Sequence, residues 1–211
     1  LADKVDIMFV GRALNGWTWN FPVPTKDSNL DDLLNRIKRN VHENDTPLPE
    51  REQLGWVDER NADHPDYNSK RSQFWQTIRE VMEVRKKAEE KWWHGIVWTN
   101  FQPLSRDGAN PTSRMVSVMG DATMNLLLAQ IEEYQPRYIV CLSGMNYAAY
   151  LLARATRTER QAGTEESEYV EYAGVADFPG AEGVGLVIMP HPQGRGKKRA
   201  VMVEEILKHL I

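Results

Sequence analysis

Four short apolar runs punctuate the chain: residues 5–10 (VDIMFV), 96–99 (IVWT), 138–142 (YIVCL) and 186–189 (LVIM). Each is near-continuous rather than alternating, and too short for a helix, which is the pattern of a strand buried on both faces. Between the runs, apolar residues recur at three- and four-residue spacing. Leu30, Leu33, Leu34, Ile37 and Val41 predict a helix over 29–41, with Asp27 or Ser28 as its N-cap. Phe74, Trp75, Ile78, Val81, Met82 and Val84 predict a long helix over 72–92. Leu126, Leu127, Leu128, Ile131 and Tyr134 predict another, from about Asp121 to the stop at Pro136. Shorter helices are expected over 145–155 and 200–210. Residues 168–173 suggest an additional strand, whereas 101–117 and 157–168 read as polar or charged loops. Strands alternating with helices predict an α/β protein: a three-layer α-β-α sandwich around a mostly parallel four-stranded sheet.

One stretch breaks the alternation. Residues 42–68 are polar and carry Pro47, Pro49, Gly55 and Pro65. The expectation is a single domain, 1–211, with an insertion or lid at about 19–66.

Composition narrows the partners. A chain 41% hydrophobic and 27% charged is that of a globular protein, not a disordered one. The formal net charge of −4 gives no global attraction for nucleic acid, so a nucleic-acid binder would need a local basic patch. Such a patch exists: Arg195, Lys197, Lys198 and Arg199 crowd the start of the last helix, where the macrodipole disfavours cations. That local cost points to an anionic partner. The single Cys141 excludes an internal disulfide. No apolar run has the length of a membrane span, and the opening LADKVDIMFVG is not laid out as a signal peptide. A cytoplasmic protein with no membrane partner is expected. The five histidines and the cysteine show no zinc spacing, and no P-loop or dinucleotide fingerprint is present. No metal or cofactor is expected.

In a parallel sheet the carboxyl ends of the strands share one edge, where ligands bind. Here those ends lead into Gly11-Arg12-Ala13-Leu14-Asn15-Gly16, Asn100-Phe101-Gln102, Ser143-Gly144 and His191-Pro192-Gln193-Gly194. Asn15, Asn100 and His191 are therefore expected to converge. An asparagine amide offers a paired donor and acceptor, suited to a base edge. A histidine can donate to charge developing on a leaving group. Backbone N–H groups around Gly144 and Gly194 suit phosphates.

The ordered set of motifs resembles the uracil-DNA glycosylase superfamily, particularly its mismatch-specific branch. FVGRALNGW (9–17) resembles the loop after the family's first strand. SQFWQTI (72–78) is similar to the start of a helix, and Asn100 to the end of the base-reading strand. IEEYQPRYIVCLSG (131–144) and MPHPQGRG (189–196) resemble the features that follow. The resemblance spans the chain and implies a DNA glycosylase that flips a nucleotide and hydrolyses its N-glycosidic bond, working as a monomer. It implies catalytic roles for Asn15, holding the attacking water, and His191, donating to the departing base. It implies base-binding roles for Asn100, Gly11 and a stacking aromatic, Tyr67 or Trp17. Ser143, Gly144, Gln193, Gly194, Arg195 and Lys197 would contact DNA, with Arg195 as the wedge that fills the gap. Two departures stand out. An ungapped match puts Ala13, not an acid or amide, at the water-holding position, and Gln193 replaces the family's serine.

Those departures and the insertion leave three alternatives open. One is a glycosylase for a bulky modified cytosine in phage DNA. Another is a non-catalytic reader of damaged or modified DNA. The third is a small-molecule nucleotide hydrolase or phosphate-binding enzyme on a similar sheet.

Overall fold

The computed structural model describes residues 5–13, 57, 69–85, 91–103, 110–162, 167–193 and 198–210. The expected helix over 29–41 and nearly all of the insertion lie outside these residues. So do Asn15, Trp17, Tyr67, Gly194, Arg195 and Lys197.

The elements run β1 (Ile7–Ala13), α1 (Gln73–Arg85), β2 (Ile96–Gln102), α2 (Ser113–Tyr134), β3 (Tyr138–Leu142), α3 (Met145–Leu152), β4 (Arg157–Arg160), β5 (Tyr172–Phe178), β6 (Ala181–Met189) and α4 (Arg199–Lys208). The four strands expected of the parallel sheet are β1, β2, β3 and β6; the additional strand suggested at 168–173 is found later in the chain, as β5. The four are mutually parallel and adjacent, in the order β2-β1-β3-β6. The sheet itself has six strands, not four, because β5 and β4 continue it antiparallel beyond β6. β5 turns into β6 through Gly180, whose positive φ of 78° suits a residue without a Cβ. β4 is Arg-Thr-Glu-Arg, exposed throughout. An edge strand of charged residues is protected against further pairing, but it carries no apolar signal and so reads as a loop.

Three boundaries also differ from expectation. β1 continues past Gly11 to Ala13. α1 is described to Arg85, and Trp92–Gly95 form a turn closed by Gly95 at φ 75°. α2 starts at Ser113, well before Asp121, because the Thr112 hydroxyl accepts from the Met115 N–H at 3.2 Å and caps it. Its first turns are not buried; burial begins at Thr123. The apolar spacing therefore reports only the half that packs on the sheet.

Side chains of alternating parity on each strand face opposite layers. Ile7 and Phe9 join α1 and α4 residues such as Ile78 and Met202 in one core cluster. Met8 and Val10 join Leu127, Ile131 and Leu151 of α2 and α3 in the other. Each crossover helix runs back against its strands. The first turns of α1 and α4 thus lie at the carboxyl edge of the sheet. The far end of α1 is tied to the start of β1: Arg85 makes two hydrogen bonds to Asp6, at 3.0 and 3.1 Å, and donates to the Leu210 carbonyl. No helix among the described residues is long and apolar enough to cross a membrane.

Candidate active site at the carboxyl edge of the sheet

The end of β1 is built around a missing side chain. Gly11 pairs with Asn100 across β1 and β2. A Cβ on Gly11 would overlap Asn100 Oδ1 and lie 3.2 Å from Phe74 Cζ. The glycine lets the Asn100 amide and the Phe74 ring close over the strand end. Asn100 is buried there, at 8% exposure. Phe74, in the first turn of α1, also lies nearly parallel to the His191 ring, with centroids 6.2 Å apart and planes 15° apart. Of Asn15, Asn100 and His191, expected to converge, Asn15 lies outside the described residues; Asn100 closes over Gly11 next to Phe74, and His191 stacks on that same ring. That phenylalanine was assigned only to the apolar face of its helix. Its second position, at the helix start over a strand-end glycine, depends on the direction in which α1 crosses the sheet.

His191 follows the end of β6 and is half-buried. Its Nδ1 lies 3.2 Å from the Gln193 backbone nitrogen, which donates to it. A ring nitrogen that accepts is unprotonated, so the neutral ring carries its hydrogen on Nε2. Burial, and secondarily the Arg12 guanidinium, push the His191 pKa down to about 4. The ring is a neutral donor at pH 7. Gln193 thus contributes through its backbone; its side chain is exposed.

Strand parity places Arg12 on the opposite face from Gly11. Its guanidinium lies over the Tyr147 ring of α3, 5.1 Å from the centroid. The Arg12 Nε is buried and has no hydrogen-bond partner among the described residues. Ala13, back on the Gly11 face, pairs with Gln102 at the end of β2. Gln102 is 6% exposed, and its Oε1 has no partner among the described residues. Sequence reasoning missed both residues, because an unsatisfied polar atom leaves no trace in residue pattern.

The Ser143-Gly144 turn is differently arranged from expectation. Ser143 is buried, and its hydroxyl is turned towards the Gly144 carbonyl at 3.5 Å. Gly144, at φ 85°, donates its N–H to Met189 at 2.8 Å, tying β3 to β6. The Met145 N–H at the start of α3 donates to the Glu171 carboxylate. A phosphate approaching this helix start would meet a carboxylate already there. The basic run needs a similar correction. Arg199 is committed internally: it donates to Glu80 at 2.7 Å, to Gln73 at 3.0 Å and to Gln76, pinning α4 to α1. Its charge is used between helices, not offered to a ligand. Lys198 is exposed.

The described edge thus combines an apolar ring (Phe74), a buried amide (Asn100), a neutral imidazole donor (His191), an unpaired amide oxygen (Gln102) and a guanidinium (Arg12). Among the described residues, no three His, Cys, Asp or Glu side chains gather as metal ligands would. Compared with known proteins, the chain matches no family model and no curated sequence.

Proposed function

We propose that the protein is a DNA glycosylase of the uracil-DNA glycosylase type, which flips a uracil or modified pyrimidine from DNA and hydrolyses its N-glycosidic bond. The observation that carries this reading is His191, held as a neutral Nε2–H donor and stacked on Phe74, the ring that also borders the buried amide of Asn100. Cleavage breaks the bond between sugar C1′ and the base nitrogen, and the electron pair leaves with the base. A donor aimed at the base oxygens stabilises that charge, and a neutral donor does so without needing a proton at pH 7. Asn100 would read the pyrimidine edge, and Phe74 would form the apolar wall of the pocket. Water adds its oxygen to C1′ and releases a proton. Ala13 has no group to hold that water. Gln102 Oε1, its neighbour across the strands, is an acceptor available for it; Asn15 remains the other candidate. The fold reading is the same: the β2-β1-β3-β6 core with helices on both faces suits a glycosylase of this type, working as a monomer in the cytoplasm.

The test is base excision. Purified protein is incubated with duplex and single-stranded DNA carrying uracil, mismatched thymine or modified cytosine, and abasic sites are revealed by alkali. His191→Gln is expected to lower the rate roughly 10²- to 10³-fold, the usual cost of one preorganised donor. No abasic product from any substrate at high enzyme concentration would reject the reading. A second reading, a non-catalytic reader of modified DNA, is favoured by one observation: Gly11 and Ala13 leave the Asn100 face of the end of β1 without a polar side chain. It expects salt-dependent binding with no base release.

A further inference from the structure

We propose that Arg12, shelved on Tyr147, is the anion receptor of this site and takes a phosphate of the nucleotide whose base lies against Phe74 and Asn100. The inference rests on the nucleic-acid reading above but not on catalysis.

Three features of the edge carry it. First, Arg12 is a half-buried cation whose Nε is enclosed and unbonded, and no ion pair to it exists among the described residues. Taking a guanidinium out of water without a counter-charge is costly, so such a group marks a place where an anion binds. Second, the guanidinium carbon lies over the Tyr147 ring, 5.1 Å from its centroid. A cation–π contact uses the face of the guanidinium and none of its N–H hydrogens, which remain the groups that bind an oxyanion through paired hydrogen bonds. Third, the two halves of the edge have different chemistry. Gly11, Asn100, Phe74 and His191 make an apolar and amide half on one face of β1, fit for a flat heterocycle. Arg12 and Tyr147 make a cationic half on the other face, separated by a single residue step along the strand. A ligand that carries both a heterocycle and an oxyanion is a nucleotide.

The competing anion sites on this edge are already filled. The Met145 amide at the start of α3 is held by Glu171, and Arg199 is held by Glu80, Gln73 and Gln76. Arg12 and the exposed Lys198 are described cations at this edge with no such partner, and of the two Arg12 is the half-buried one.

The experiment compares binding of two short single-stranded oligonucleotides with one central deoxyuridine. One has native linkages; the other has neutral methylphosphonate linkages flanking the deoxyuridine. Binding is measured by fluorescence anisotropy at fixed salt with wild type, Arg12→Met, Arg12→Lys and Tyr147→Leu, and inorganic phosphate is added as competitor. Wild type is expected to prefer the native strand by roughly 10- to 100-fold, the worth of a charge-assisted contact. Arg12→Met should lose that preference while still binding the neutral strand. Arg12→Lys should keep part of it, and Tyr147→Leu should weaken it. Phosphate should compete with the native strand in wild type and not in Arg12→Met. The proposal is overturned if wild type shows no preference, if Arg12→Met keeps it, or if Arg12→Met loses both strands equally. Because the readout is binding, an inactive protein that passes this test rejects the glycosylase reading and leaves the receptor standing. An active enzyme that fails it does the reverse.

Discussion

His191 is the residue at which geometry and electrostatics act together. Gln193 fixes its tautomer, Phe74 fixes its plane, and burial with Arg12 keeps it uncharged. The pH consequences follow from the sign of the shift. The folded pKa, about 4, lies below the unfolded value of 6.5. The neutral donor is therefore fully present above about pH 5, and the acid limb of kcat/KM should fall near 4 rather than 6.5. Between those two values the unfolded chain binds the proton that the folded chain refuses. Stability should fall as pH drops through this window, and His191→Gln should remove that part of the fall in urea melts at stepped pH. Removing the neighbouring cation changes the same property. In Arg12→Met the His191 pKa should rise, with the burial contribution remaining, as an NMR titration of the ring proton would record. A fall, or no change, would mean that Arg12 does not face the ring. Gly11→Ala gives a separate check on the pocket. Its Cβ would press on Asn100 and Phe74, so we expect a loss of about 1–3 kcal/mol of stability and a larger loss of binding or excision.

The elements hold this edge together through cross-links that sit away from it. Arg85 joins the end of α1 to Asp6 and to the Leu210 carbonyl, and Arg199 joins the start of α4 to three side chains of α1. Arg85→Met should destabilise by about 1–3 kcal/mol in denaturant melts, because it leaves Asp6 and a carbonyl without their donor. Excision per folded molecule should be unchanged, since Arg85 lies at the opposite edge from His191. The same element view explains what was legible beforehand. The four parallel strands were, because continuous apolar runs such as YIVCL have one physical meaning in a chain with intervening helices. Their shared edge followed, and with it the approach of Asn100 and His191 to Phe74; Asn15, expected beside them, lies outside the described residues. β4 was not, because an edge strand made of charged residues has no buried face to declare. The capped start of α2 was not, because its first turns do not pack on the core. Phe74 and Arg12 were missed for a different reason. Their roles depend on the direction in which α1 crosses the sheet and on the parity of β1 beyond Val10, and apolar spacing encodes neither. Arg199 was misjudged because counting cations along a chain does not reveal the Glu80 carboxylate on another helix.

At the scale of the whole molecule, if the proposed function holds, an acidic protein with a net charge of −4 would meet DNA through a small part of its surface. Long-range attraction is then weak, and contact with phosphates is confined to whatever cations reach the strand-end edge. With Arg199 turned inward, the cations left in the run after His191 are Arg195, Lys197 and Lys198. Affinity for duplex DNA should therefore fall with salt along a shallow line, not the steep one of a strongly basic binder. For duplex DNA the slope of log affinity against log salt is about −0.9 per neutralised phosphate. Arg195→Ala with Lys197→Ala should flatten the measured slope by roughly 1 to 2, whereas Arg199→Ala should leave the slope unchanged and lower the melting temperature instead. Anisotropy titrations at several salt concentrations, paired with thermal melts, separate the two outcomes. If Arg199→Ala flattened the slope without loss of stability, the inward ion pair would not be the one that holds α4 to α1. If the double substitution left the slope unchanged, the loop after His191 would not be the surface that meets the phosphates.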